Sequence, residues 1–466
     1  MDQPHVVILG GGPAGVGAAY KLRKEGKARV TLLERNPYLG GNAGSFQEGE
    51  QWLDFGSHRL HHASEPEILA DIQMLLGPDL KDRPRNGRIR LRGKWVKFPL
   101  SGPDLMLRLD KNFALNAAKD MVLKNLPGGG AGGEDTFASV LRANLGPTIC
   151  EHFYFPYARK LWGHEPHELS GIQARRRVSS GTFAKLIKKV IKPPGKGFFY
   201  YPREGFGQIS RAYADHATKD GAEIMLGWSV AGLKKTEAGW TVETTKDAET
   251  RRLDADFVWS TLPLTVAARM MDPAPPADIL AAAGRIDYRA MLLVYVELPI
   301  TQFHATDAHY FPEENVAMTR LSEPKNYFGL SAPEGRTVLC AEIPCMVGDR
   351  LWTMSDEDLG KMVVEDMRKV DLVPPVAHTR AFARRLPQAY PIYLNGYQDH
   401  LVPLDRWLAE QPRFLSYGRQ GLFAHDNTHH ALYMAYAATR CLDGDRFDTA
   451  EWSRYRKIFE THVVED

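Results

Sequence analysis

Apolar and polar positions along this chain fall into blocks of two different periods. His5-Val6-Val7-Ile8-Leu9 is an apolar run of strand length, and Ala18-Ala19-Tyr20-Lys21-Leu22-Arg23-Lys24-Glu25 is a helix-forming stretch closed by Gly26. Arg29-Val30-Thr31-Leu32-Leu33 then reads as a second strand. Further on, a helix is predicted from Gln208 to Thr218, with a strand at Ala222-Glu223-Ile224-Met225-Leu226. Trp240-Thr241-Val242-Glu243-Thr244-Thr245 alternates at period two, and Met291 to Glu297 reads as a core strand. Residues 101–199 read as mainly helical, interrupted by a flexible glycine loop from Gly128 to Gly133. Near the end, Tyr417 to Phe423 reads as a strand entering a turn, followed by a helical run from Ala431 to Ala438. Strands alternating with helices predict an α/β protein.

The joint between the first strand and helix carries chemistry. Gly10, Gly12 and Gly15 form a G-x-G-x-x-G turn, with Pro13 and Ala14 inside it, and the second strand ends in Glu34. Gly10 permits the tight turn, Gly12 lets the backbone approach a pyrophosphate, and Gly15 lets helix and strand pack closely. The helix N-terminus offers unpaired N–H groups to phosphate, and Glu34 can accept from a ribose. Placed between two strands with the acid in position, the motif points to dinucleotide binding.

Composition narrows the rest. The chain has 466 residues, enough for two or three domains, with 44% hydrophobic and 25% charged residues. A net charge of +2 gives no global field for nucleic acid. Cys150, Cys340, Cys345 and Cys441 are scattered, without a C-x-x-C pair, which fits buried thiols in a reducing compartment. The first strand begins close to Met1, so no signal peptide is expected, and no apolar run reaches the ~18 residues of a membrane span. A cytoplasmic protein is expected.

A second glycine pair follows the acid, in Arg35-Asn36-Pro37-Tyr38-Leu39-Gly40-Gly41-Asn42-Ala43. It resembles the second phosphate turn of FAD proteins of the glutathione-reductase and amine-oxidase superfamily. In that superfamily a segment such as Leu53-Asp54-Phe55-Gly56-Ser57-His58-Arg59 lies along the isoalloxazine ring, and the Gly418-Arg419 turn with the following helix resembles the flavin cap. Tyr157 to Gly163, Tyr201 to Ile209 and Ser260-Thr261-Leu262-Pro263 extend the likeness over nearly the whole chain. The chain resembles the branch that includes protoporphyrinogen oxidase-like proteins and UDP-galactopyranose mutase. The mutases' acid–Met–acid run appears here as Asn427-Thr428-His429, a departure from the mutase pattern.

The resemblance implies a Rossmann-like FAD-binding domain of glutathione-reductase type with an inserted α+β substrate domain. The FAD domain would comprise residues 1–100, 200–265 and 405–442. Residues 101–199 and 266–404 would form the substrate domain, with a helical tail over 443–466. Non-covalent FAD would contact Gly10, Gly12, Pro13, Ala14, Gly15, Glu34, Arg35, Gly40, Gly41, Asn42, Gly56, Ser57, His58, Val230, Gly418, Arg419, Asn427 and Thr428. His58, Arg59, Lys325 and Tyr327 are the expected catalytic positions, Lys325 in the water-organising role a lysine plays in amine oxidases. Trp162, Arg289, Arg320, Tyr390 and Tyr393 are the expected substrate contacts, arginines suiting an anionic group and tyrosines a wall.

Three functions fit these features. One is a redox flavoenzyme removing a hydride from a small molecule to flavin N5. The alternative is a non-redox mutase on a nucleotide sugar, with reduced N5 as nucleophile. A binding protein like the Rab GDP-dissociation inhibitors is the third, opposed by the intact phosphate turns. Two basic segments remain. Residues 81–97 carry eight Lys/Arg, with Arg88, Arg90 and Arg92 alternating on a strand, either a solvated hairpin or an anion site. Residues 182–192 place Phe183, Leu186, Ile187, Val190 and Ile191 on one helical face amid lysines, a pattern suited to docking on the protein itself or to an anionic membrane surface. His425 and His429 have i, i+4 spacing, but no neighbouring carboxylate completes a metal motif, and no metal is expected.

Overall fold

The first apolar run forms strand β1 (His5–Leu9), buried along its length, and leads through the glycine turn into helix α1 (Pro13–Lys24) and strand β2 (Arg29–Glu34). The computed structural model describes residues 3–98, 104, 108–124, 134–177, 197–329 and 333–464. The glycine loop at 128–133 and the basic amphipathic helix at 182–192 lie outside the described residues.

β1 and β2 are the centre of a five-stranded sheet. Its order is Phe414–Ser416, Phe257–Ser260, β1, β2, Glu223–Leu226, and every pair is parallel. Such sheets bury both faces. On one face Val6, Ile8 and Leu32 pack with α1, helix Gln208–Lys219 and helix Thr428–Cys441. On the other, Val7, Leu9 and Leu33 meet Leu233, Trp240 and Val242 of a second, four-stranded sheet and Leu404 and Leu408 of helix Gln398–Ala409. A parallel sheet closed by a strand from residue 414 onward requires the two ends of the chain to meet.

A seven-stranded mixed sheet stands apart from this one. Its order is Arg380–Pro391, Tyr288–Leu298, Thr337–Cys345, Arg320–Ser322, Ala308–Tyr310, Gly87–Leu91, Lys94–Phe98. The hairpin at 87–98, expected within the FAD domain, therefore belongs to this sheet, because Ala308–Tyr310 pairs in parallel with Gly87–Leu91. Arg92 (φ 51°) and Gly93 (φ 73°) make its turn, both left-handed as a tight hairpin requires. Two arginines of the basic hairpin are paired with acids from elsewhere in the chain: Arg90 with Glu313 (3.1 Å) and Asp371 (2.9 Å), and Arg92 with Asp110 (3.0 Å). Opposite Ala290, the register of the Arg380–Pro391 strand slips, so that Pro387, Gln388 and Ala389 form a bulge. Helices at Phe137–Leu145, Phe155–Trp162 and Gly171–Arg177 cover this sheet's flank, and helix Thr449–Phe459 forms the tail. No helix of the described residues is long and apolar enough to cross a membrane.

Candidate active site

A cavity of about 510 Å³ opens at the C-terminal edge of the parallel sheet, where such folds bind their ligands. Both ends of the chain line it: Gly10, Gly12, Glu34, Gly41 and Asn42 from one, Arg419, Asn427 and Thr428 from the other.

The glycine turn divides its labour as the motif predicts. Gly10 takes φ +102°, which few side chains tolerate. A Cβ on Gly15 would lie 1.9 Å from the Gly10 carbonyl oxygen, so only glycine lets α1 start this close to β1. A Cβ on Gly12 would meet nothing within 4 Å; that space belongs to the cavity. The second turn faces the first. The Gly40 N–H donates to the Gly11 carbonyl (2.8 Å), and a Cβ on Gly41 would stand 3.5 Å from Gly12 Cα. Glu34 locks the arrangement by accepting from Gly11 N–H (2.7 Å), Asn36 N–H (2.8 Å) and the Asn36 side chain (2.7 Å). The N-terminus of α1 has no side-chain cap, so its N–H groups point at the glycine cradle.

Segment 54–59 forms a second wall. Asp54, buried, accepts from Ser45 (2.6 Å), Tyr201 (2.5 Å) and Phe206 N–H (2.9 Å), and burial raises its carboxyl above the ordinary value. His58 lines the cavity, its Nε2 against the Phe55 carbonyl (2.9 Å), and burial lowers its pKa, keeping the ring neutral. Arg59 sits between the Phe199 and Tyr327 rings, at 5.4 and 5.2 Å, and donates to Tyr310 (3.2 Å). Ser57 Oγ and Tyr327 Oη share a short hydrogen bond.

The far wall is the turn around Arg419 and the helix Thr428–Cys441. Arg419 donates to the Ala389 carbonyl (2.8 Å) and lies 5.2 Å from the Tyr390 ring. The Gln388 carbonyl accepts from both Asn42 (3.0 Å) and Gln420 (2.8 Å). The strand bulge thus holds the two cofactor-side segments together. Nε atoms of Arg59 and Arg419 are buried without a hydrogen-bond partner. Among the described residues neither guanidinium makes an ion pair; Asp307 acts on Arg59 and Asp426 on Arg419 only from longer range. Burial pulls Arg419 below the usual arginine value.

Of the predicted contacts, Gly10, Gly12, Pro13, Ala14, Glu34, Arg35, Gly40, Gly41, Asn42, Ser57, His58, Arg59, Val230, Arg320, Tyr390, Arg419, Asn427 and Thr428 line one cavity. Gly15, Gly56 and Gly418 stand behind it as backbone makers; Gly418 takes φ +79° with Ala14 Cβ 2.8 Å from where its own would be. The expected water-organising role of Lys325 is corrected. Its ammonium is caged by the carbonyls of Thr301 (2.8 Å), Pro333 (2.7 Å) and Arg336 (2.9 Å), and it does not line the cavity. Tyr327 does not line the cavity; it meets two residues that do, Ser57 by a hydrogen bond and Arg59 over its ring. Trp162 is core, Arg289 presses on Gly163 and donates to the Lys160 carbonyl (3.3 Å), and Tyr393 donates to the Phe423 carbonyl (2.7 Å); none of the three lines the cavity.

Arg177, Trp228, Gln388, His425 and Asp426 also line the cavity and were not anticipated. Neither was Glu342, which grips Ser57 N–H (2.7 Å) and forks onto Arg320 (2.7 and 2.6 Å). Its signal was legible: a lone acid within the apolar run Val338-Leu339-Cys340-Ala341-Glu342-Ile343 must be paired if that run is buried. Asp426, His430 and His462 also gather, their ligand atoms within 4.8 Å of one another. The His430 and His462 rings are stacked, 4.2 Å apart at 13°.

A parallel sheet with two facing glycine turns, an acid at the second strand end and a capping helix from the chain's other end defines a nucleotide-cofactor flavoprotein fold. Residues 13–430 match the flavin containing amine oxidoreductase family, and the chain belongs to it. It is 22% identical over 399 residues to coproporphyrinogen III oxidase of Bacillus subtilis (strain 168), covering 78% of this chain and 83% of that protein. It is 24% identical over 338 residues to protoporphyrinogen oxidase of Homo sapiens, covering 64% and 69%. Reduced UDP-galactopyranose mutase shares the fold, with a TM-score of 0.79 at 20% identity over 94% of this chain and 93% of that one.

Proposed function

We propose that the protein binds FAD non-covalently and uses it to oxidise a small anionic molecule. The observation that carries this is the open space in front of Gly12, faced by Gly41, within a cavity lined by both ends of the chain. The facing glycines and the α1 N-terminus would hold the pyrophosphate, Glu34 a ribose, and Trp228 with Val230 the adenine end. Ser57, His58, Asn427 and Thr428 would flank the ring. Bound FAD supplies a hydride acceptor. The chain's own residues would orient the substrate and exclude water. Arg59 and Arg419 line the cavity, make no ion pair among the described residues and each keep a buried Nε without a partner, so they suit a carboxylate or phosphate. Tyr390 would form the wall beside it.

The test is direct. Purified protein should be yellow and release one FAD on denaturation. Turnover consuming O2 or another electron acceptor supports the oxidoreductase reading. Activity that requires prior reduction and shows no net electron flow would replace it with the mutase reading. Colourless protein that takes up no added FAD refutes both.

A further inference from the structure

Glu342 occupies the middle of a strand, Thr337–Cys345, in which all nine residues are buried. It is 4% exposed and does not line the cavity, yet both of its partners do. One oxygen accepts Ser57 N–H (2.7 Å) and Arg320 Nε (2.7 Å); the other accepts the Arg320 terminal nitrogen (2.6 Å). Register enforces the pairing, since Arg320 and Glu342 stand directly opposite on neighbouring antiparallel strands. Gly56, at φ +95°, brings the loop close enough: a Cβ there would lie 3.3 Å from the carboxylate. Burial works to lower Arg320, and the Glu342 charge and hydrogen bonds outweigh it, holding the guanidinium above its ordinary value.

A buried ion pair is a poor device for stability, since a well-packed apolar pair of similar volume often does as well. What this pair does achieve is local. It removes the net charge of a guanidinium at the cavity surface and fixes the backbone of Ser57 beside it. Arg59 and Arg419, by contrast, make no ion pair among the described residues, and the Nε of each lacks a hydrogen-bond partner.

We propose that Glu342 is a positioning residue that sets the charge of the ring end of the cavity. It neutralises Arg320 and pins the Gly56–Arg59 loop, which leaves Arg59 and Arg419 as the anion-selecting groups. This rests on the FAD reading above. Losing the Glu342 charge exposes Arg320 as a further cation beside Arg59 and Arg419. A bare cation favours the negative reduced ring and any anionic ligand.

The experiment uses holoenzyme of wild type, Glu342→Gln, Arg320→Gln and the double variant, at pH 8. FAD content, the midpoint potential of bound flavin and the affinity for inorganic phosphate (read from the visible spectrum) are measured. Glu342→Gln should raise the potential by about 30 mV, a tenfold change in the two-electron equilibrium, and bind phosphate about tenfold more tightly. The double variant should return both to wild-type values. Arg320→Gln should shift the potential in the opposite direction, which keeps the test available should Glu342→Gln fail to fold. A Glu342→Gln protein with wild-type potential and phosphate affinity overturns the proposal, as does a shift that persists in the double variant. Wild-type protein that binds no FAD refutes the cofactor reading instead.

Discussion

Replacing Gly12 by alanine separates the fold from the cofactor site. Gly12 has φ −72° and ψ 176°, a conformation alanine adopts freely, and the added methyl meets no protein atom within 4 Å. The apo protein should melt no lower than wild type, and loss of glycine's freedom in the unfolded chain should raise stability by about 0.4–1 kcal/mol. The methyl nonetheless projects where the pyrophosphate is to lie. Forcing one methyl into a filled contact costs about 1–3 kcal/mol, a 5- to 150-fold loss of FAD affinity. Gly15→Ala is the contrasting case. Its methyl would sit 1.9 Å from the Gly10 oxygen, so α1 must retreat by about 1 Å, and both stability and FAD binding should fall. The assay is FAD titration of apo protein by flavin fluorescence, alongside apo thermal melts. A Gly12→Ala protein that binds FAD like wild type would place the pyrophosphate elsewhere and refute the reasoning.

Further outcomes follow from single groups. Glu34→Gln turns an acceptor of three donors into a group that must present an amide to some of them; it should cost about 1–3 kcal/mol, seen as a lower apo melting temperature and weaker FAD binding. Lys325→Met and Tyr393→Phe should each reduce stability and leave flavin reduction by substrate unchanged; a large drop in that rate for Lys325→Met would restore a role at the ring. His309 is buried, and desolvation, with His304 and Arg88 nearby, lowers its pKa to about 3. It stays neutral in the fold while the unfolded chain binds a proton below about pH 6.5. Its contribution is therefore fully present above pH 6.5 and is lost as pH falls from there toward 3, at about 1.4 kcal/mol per pH unit. Denaturant melts from pH 7 to 4 should show this slope, and His309→Gln should flatten it; an unchanged slope would count against the assignment.

The glycine-turn half of the cavity was readable because each residue there answers a local demand. Gly10, Gly12 and Gly15 lie five positions apart end to end, and an apolar strand precedes them. Glu34 is fixed by where the next strand ends. The substrate half was not, because its contacts depend on strand pairing across hundreds of positions. Lys325 and Lys160 are both lysines near the ends of short elements, and both are caged by three backbone carbonyls; nothing in their neighbours distinguishes a cage from a catalytic position. Trp162, Arg289 and Tyr393 were plausible by residue type but do not line the cavity. The pairing of the hairpin at 87–98 with the mixed sheet was not legible, because its partner, Ala308–Tyr310, is only three residues long and carries no recognisable periodicity.

The bulge at Pro387–Ala389 has a consequence for how the protein assembles. Two consecutive carbonyls of the mixed sheet receive side chains from residues 42, 419 and 420. The cavity is consequently tied together by side chains from one half and carbonyls from the other, and neither half offers a finished pocket alone. Synthesis must reach the last fifty residues before the ligand has a home.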